Sequence, residues 1–250
     1  GQFSAGVTIG NLNLSRLDGG AGNDTLSFSP LKDSGLTLTL NTAGATNFEN
    51  ITGTGQADII TGDANANTII GGSGGDTISG LGGNDLIFGD IASSDNAADQ
   101  ALTSAADDTI TGGAGNDIIV GNRGNDTLDG GAGADTITGN RDADTFIIRS
   151  GDGGSTIAGA DTITDFTDGT DLIGLDDGNV GNLTITQGTG SNANDTIISL
   201  TSSGEFLAVL NNVTASNLNA FDFVNSSATA ISVAGDAGND TLLGGSGNDI

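Results

Sequence analysis

From Gly112 to Ile147 a nine-residue unit returns four times without a break: GGAGNDIIV, GNRGNDTLD, GGAGADTIT and GNRDADTFI. Position one is always Gly, position six always Asp, and position eight Ile, Leu or Phe. Two upstream units, GGSGGDTIS from Gly71 and GLGGNDLIF from Gly80, keep the same pattern. A nonapeptide is too short to bury its own apolar residue, so such units must stack on one another. The beat also argues against a flexible linker, which has no reason to hold an aliphatic residue in phase with an acid.

Composition narrows the chemistry. The 250 residues carry 32 acidic and 5 basic side chains, a formal charge of -27. Only Glu49 and Glu205 are glutamates, which leaves 30 aspartates beside 44 glycines. Asp is a poor helix former, and with Gly, Asn and Thr it favours turns and short strands. The charge argues against nucleic acid and anionic membranes as partners and points to cations. No apolar run approaches the roughly 18 residues of a membrane span. The chain lacks His, Cys and Tyr, so it offers no Ser-His-Asp or Cys-His nucleophile and no usual zinc site. Lys32 is the single lysine and there is no P-loop. Glycosidases use two carboxylates, but pairs that recur identically suit a repeated structural metal better than one catalytic site. The expectation is that the chain is not an enzyme.

The units match G-G-x-G-x-D-x-U-x, and the chain resembles the hemolysin-type calcium-binding (RTX) family. The resemblance implies an all-β fold, a calcium-stabilised parallel β-roll (a β-solenoid) with an antiparallel β cap. Positions one to six are expected to turn, with Gly supplying positive φ. Positions seven to nine are expected to form a strand whose eighth residue faces the core. Two units make one coil, so each turn stacks on the turn two units away. Position-six carboxylates would then face each other as Asp117–Asp135, Asp126–Asp144 and Asp108–Asp126. Close carboxylates repel. Calcium, which takes six to eight oxygen ligands at about 2.3–2.6 Å, relieves that repulsion with two carboxylates and turn carbonyls. The candidate ligands are Asp24, Asp58, Asp76, Asp85, Asp108, Asp117, Asp126, Asp135, Asp144 and Asp240, with the turn glycines Gly72, Gly74, Gly83, Gly113, Gly115, Gly124, Gly131 and Gly133. Several calcium ions are expected. Asn67 stands at position six of GDANANTII and weakens or removes the site there, an asparagine ladder being the expected substitute.

Four segments are expected. Residues 1–52 are an N-terminal β segment with one isolated repeat, GGAGNDTLS. Residues 53–149 are the array, with a loop inserted at 89–102, after which phase resumes at Thr103. Residues 150–225, alternating and turn-rich, are a β cap. Residues 235–250 begin a second array and contain Asp240. The stretch GADTITDFTDGTDLIGL resembles the segment after the array in serralysin-type proteases and alginate epimerase modules. Asp165 and Asp171 there either ligate calcium or turn the chain. Phe146, Phe166, Phe206, Phe221 and Phe223 are expected in the cap core.

The sequence reads as an internal piece of a longer protein: a structural module of a secreted bacterial surface protein (S-layer, adhesin or sheath). It would leave the cell by type I secretion and fold on calcium outside. The alternative is a non-catalytic module of a secreted protease, lipase or alginate epimerase. Besides calcium, self-assembly or a cell-surface polysaccharide are the partners considered; nucleic acid and membrane insertion are not expected. A carbohydrate-binding module would need exposed Trp or Tyr, and the chain has neither.

Overall fold

The structure is a computed structural model that describes residues 17–29, 34–40, 45–90, 106–176 and 178–226. The second array at 235–250, with Asp240, lies outside these residues. Among them, no helix is long and apolar enough to cross a membrane.

The chain winds back and forth between two sheets. The eight-stranded sheet holds β3 (Thr37–Thr39), β6 (Ile59–Thr61), β8 (Thr77–Gly82), β10 (Thr109–Ala114), β12 (Thr127–Ala132), β14 (Thr145–Ile148), β16 (Leu172–Leu175) and β20 (Phe223–Asn225). The ten-stranded sheet runs through β2 (Thr25–Ser27), β5 (Asn50–Thr52), β7 (Thr68–Gly72), β9 (Leu86–Asp90), β11 (Ile118–Asn122), β13 (Thr136–Asn140) and β15 (Asp161–Ile163). It ends in β19 (Phe206–Leu210), β18 (Thr196–Leu200) and β17 (Leu183–Gln187). β1 (Leu17–Asp18) and β4 (Ala45–Thr46) form a separate two-stranded parallel sheet. Among the described residues every strand pairing in the roll is parallel, and the antiparallel strand pairings are β17–β18 and β18–β19. Strands two apart pair in register, with Thr109 opposite Thr127 and Ile119 opposite Ile137.

Position eight builds the core. Ile60, Ile69, Ile87, Ile110, Ile119, Leu128, Ile137 and Phe146 are wholly buried between the sheets. One cluster runs from Leu26 to Phe223 without a break. The boundaries expected at 52/53 and 149/150 therefore fall inside one structure. β2, β3 and β5, from the expected N-terminal segment, supply its first strands. β15 and β16 carry both sheets in parallel register into the cap.

Three further expectations are corrected. Strands run on past position nine into positions one to three, as in Thr109–Ala114, because the stacked turns pair there as well (Gly113 opposite Gly131). The insertion begins later than Gly89: Gly89 and Asp90 belong to β9, and Gly89 fills position one of the turn that ends at Asp108. Gly89 thus takes the first position that was expected at Thr103, which lies outside the described residues. Phe221 is 67% exposed. It sits in a single 3-10 turn whose Asp222 side chain faces inward and accepts the Asn219 N–H at 2.7 Å, leaving Phe221 outward. Phe146, Phe166 and Phe223 are buried, and Phe206 packs half-buried against Ala160, Ile197 and Val209.

The outer faces of the array strands carry positions seven and nine, and almost no charge. Asp129 is the exception; it is buried under Arg149, with which it forms an ion pair. On the ten-stranded sheet Ile70, Leu86, Phe88, Ile118 and Val120 adjoin across three strands. The other acids of the array lie in or beside the turns, along two edges.

Candidate metal-binding edges

Edge one joins the ten-stranded sheet to the eight-stranded one and carries Asp58, Asp76, Asp108, Asp126 and Asp144. Edge two joins them in the other direction and carries Asn67, Asp85, Asp117 and Asp135. In the turns, positions two and four have positive φ: Gly72 (134°), Gly113 (123°) and Gly131 (88°) at position two, and Gly74, Gly83, Gly115, Gly124 and Gly133 at position four. Gly113 and Gly115 lie directly on the carbonyl oxygens of Leu81 and Gly83 one coil earlier, so a side chain there would collide with backbone. Position one needs Gly for a different reason. A Cβ at Gly71 would overlap both the Asp76 Oδ2 and the Gly89 carbonyl oxygen of the next coil. Gly80 stands likewise against Asp85 Oδ2 and the Gly112 carbonyl, and Gly112 against Asp117 Oδ2 and the Gly130 carbonyl.

The position-six side chains form two ladders. On edge one the Asp58 N–H donates to Asp76 Oδ1 at 2.8 Å, Asp76 to Asp108 at 2.7 Å, Asp108 to Asp126 at 2.8 Å and Asp126 to Asp144 at 2.9 Å. On edge two Asn67 donates to Asp85 at 2.7 Å, Asp85 to Asp117 at 2.7 Å and Asp117 to Asp135 at 2.8 Å. The expected pairs are thus stacked, but one oxygen of each carboxylate binds an amide of the previous coil. The other oxygen is left over. Oδ2 of Asp24, Asp76, Asp85, Asp108, Asp117, Asp126 and Asp135 is buried without any hydrogen-bond partner. A buried, unpaired carboxylate oxygen is costly and needs a proton or a cation.

The carboxyl pKa values carry the same strain. Burial, reinforced by neighbouring aspartates and opposed by the ladder bonds, pushes Asp76, Asp108 and Asp126 up to about 8. Burial likewise raises Asp144 to about 7 and Asp85 and Asp135 to about 6. Among the described residues no three His, Cys, Asp or Glu side chains converge as a metal group. Carboxylates therefore need backbone oxygens to complete a site. The carbonyls beside Oδ2 are those of position one, residues that reading the turn for its positive-φ glycines passes over. The residues fit a hard dication such as calcium, which prefers carboxylate and carbonyl oxygen.

Asp58 differs: its Oδ2 accepts the Thr54 N–H at 2.6 Å and its Oδ1 the Leu36 N–H at 2.6 Å. Asn67 keeps the place of the carboxylate, its Oδ1 accepting the Asp63 N–H at 2.9 Å while its Nδ2 has no partner. Asparagine ladders appear instead at position five, where Asn116 N–H donates to Asn84 Oδ1 at 3.0 Å and Ala143 N–H to Asn125 Oδ1 at 3.0 Å. Glu49, outside any recognisable unit, extends edge two by accepting the Asp24 N–H at 2.8 Å. Asp165 accepts the Gly139 and Asn140 N–H groups, and Asp171 accepts the Asp144 N–H and, on its other oxygen, the Thr167 N–H.

A family model described as the RTX calcium-binding nonapeptide repeat (4 copies) matches residues 15–28, 44–78, 61–91, 93–128, 113–146, 120–157 and 232–250, together more than half of the chain. Comparison with curated proteins gives no match. Among solved structures, the chain is similar to the AlgE6R3 subunit of the Azotobacter vinelandii mannuronan C5-epimerase, at 28% identity over 59% of this chain and 88% of that one, TM-score 0.38. It is also similar to the AlgE6R2 subunit, at 25% identity over 62% and 94%, TM-score 0.39.

Proposed function

Since this chain belongs to the family of RTX calcium-binding nonapeptide repeats, we propose that it is a structural module that folds on calcium outside the cell. The ligands would be the free Oδ2 atoms of Asp76, Asp85, Asp108, Asp117, Asp126 and Asp135, joined by turn carbonyls, those of position one and of the turn glycines. Calcium supplies the positive charge that the two acidic edges lack. The chain's own residues do the rest: the ladder amides orient each carboxylate, and the stacked glycines bring backbone oxygen within reach. Without calcium the edges repel; with it, binding free energy becomes folding free energy. The observation that carries this reading is the row of buried, unpartnered carboxylate oxygens.

The module would serve a secreted surface protein, an S-layer, adhesin or sheath, as a scaffold without chemistry of its own. Its flat, nearly uncharged sheet faces favour contact with copies of itself over contact with a charged ligand. Far-UV circular dichroism during calcium titration from EGTA, with magnesium as control, tests the switch. A cooperative coil-to-β transition specific to calcium is expected. A β spectrum already present in EGTA and unmoved by calcium overturns the reading.

A further inference from the structure

Resting on that calcium reading, we infer that Asp161, a cap residue outside every nonapeptide, supplies the carboxylate that closes the last calcium site on edge two. The turn before Asp161 reads STIAGAD and has no Gly-Gly-x-Gly start. Even so, Asp161 stands to Asp135 as Asp135 stands to Asp117. The Asp135 N–H donates to Asp161 Oδ1 at 3.0 Å, as the Asp117 N–H donates to Asp135 Oδ1 at 2.8 Å. Asp161 is 3% exposed and Asp135 1%. The Asp135 Oδ2 has no partner, and the Asp161 carboxyl lies against that of Asp135. Two buried carboxylates with an unpaired oxygen between roll and cap repeat the arrangement of the interior coils.

Edge one ends differently, which makes the assignment specific. Asp171 occupies the equivalent step, accepting the Asp144 N–H at 3.0 Å, but its other oxygen is taken by the Thr167 N–H at 2.8 Å. Backbone amides take both oxygens of Asp171, whereas at the Asp135–Asp161 pair the Asp135 Oδ2 has none. One consequence is functional: a calcium ion on Asp161 ties the cap to the array, so the cap orders only when the last array coil is loaded.

The test is the number of calcium ions bound per chain, by equilibrium dialysis, for the wild type, Asp161→Asn, Asp171→Asn and Asp126→Asn. Asparagine keeps an oxygen for the ladder bond, so folding in saturating calcium should survive and is checked by circular dichroism. Asp161→Asn is expected to bind one ion fewer, and Asp171→Asn as many as wild type. An unchanged count in Asp161→Asn, with Asp126→Asn reduced, overturns the role of Asp161 and leaves the calcium reading standing. Unchanged counts in both overturn the calcium reading itself. Should Asp161→Asn fail to fold, Asp161→Glu decides: a raised calcium midpoint for folding is expected, and an unmoved midpoint overturns the inference.

Discussion

At a single turn, three residue types do three separate jobs, and substitutions should separate them. Gly115 has φ near 147° and lies on the Gly83 carbonyl. Gly115→Ala adds backbone strain and a collision with backbone that has nowhere to move, a cost of about 3 kcal/mol or more. Gly151 also has positive φ, at 99°, but its missing Cβ would point into open space. Gly151→Ala should cost only the strain, about 1–2 kcal/mol. Denaturant unfolding in saturating calcium compares them; equal losses would mean the stacking contact is immaterial. The aspartates set the pH response. Their ordinary value of 3.8 rises to between about 6 and about 8 in the roll, burial being the first cause. The fold thus disfavours the charged form. In EGTA the contribution of these groups should be complete at or below about pH 4 and be lost as pH rises from there toward 8, while the stabilisation by calcium grows over the same range. Chemical unfolding in EGTA at several pH values reads this directly, and stability that is flat or rises with pH contradicts it. The phase of Gly and Asp was legible because these jobs repeat every nine residues. Glu49 and Asp161 were not, because their places in the ladder are set by which strand lies beside which, and the intervening loops hide that spacing.

β11 and β12 each bury one aliphatic residue completely, Ile119 and Leu128; beside Ile119, Ile118 is exposed and Val120 half-buried. Ile119→Ala removes a side chain packed on all sides and should cost about 3–5 kcal/mol, read as a lower unfolding midpoint in calcium. Ile118→Ala, at a position 48% exposed, should change it by well under half as much. Comparable losses would show that the inner and outer faces are misassigned. The alternation at position eight made this core visible in the sequence. The ends of the elements were less visible. Strands continue through the turn glycines because coil-on-coil pairing overrides the usual weakness of Gly in a strand. The insertion was seen as a loss of phase, but its start was placed too early, since Gly89 serves β9 and the following turn together. The Asp76 N–H reaches Asp108, 32 residues on, where interior coils use 18. Deleting residues 91–104 restores the shorter step. It should leave calcium stoichiometry intact, because changing the length of a connection alters its closing entropy by only about 1 kcal/mol. Loss of calcium ions on deletion would assign the insertion a part in the turn.

Over the whole molecule, charge and fold are arranged against each other until a cation arrives. The formal charge of -27 is spread evenly along the unfolded chain, but in the roll the array acids gather on two edges while both sheet faces stay almost neutral. Folding therefore concentrates repulsion, and the single core between the sheets is a thin one, about one apolar side chain per nonapeptide. Stability must then come from the edges, where each neutralised carboxylate pair both removes repulsion and clamps two coils. The length of the chain makes this measurable by small-angle X-ray scattering. An unfolded chain of 250 residues has a radius of gyration of about 55 Å, and a compact one about 18 Å, a solenoid being somewhat larger. Calcium should drive the radius from near the first value toward the second in one cooperative step. Monovalent salt at equal ionic strength should shrink it only partly, because screening weakens repulsion without bridging Oδ2 to backbone oxygen. If high sodium chloride alone produced the compact state, repulsion would be the whole barrier and the ladder of unpaired oxygens would have no specific ligand.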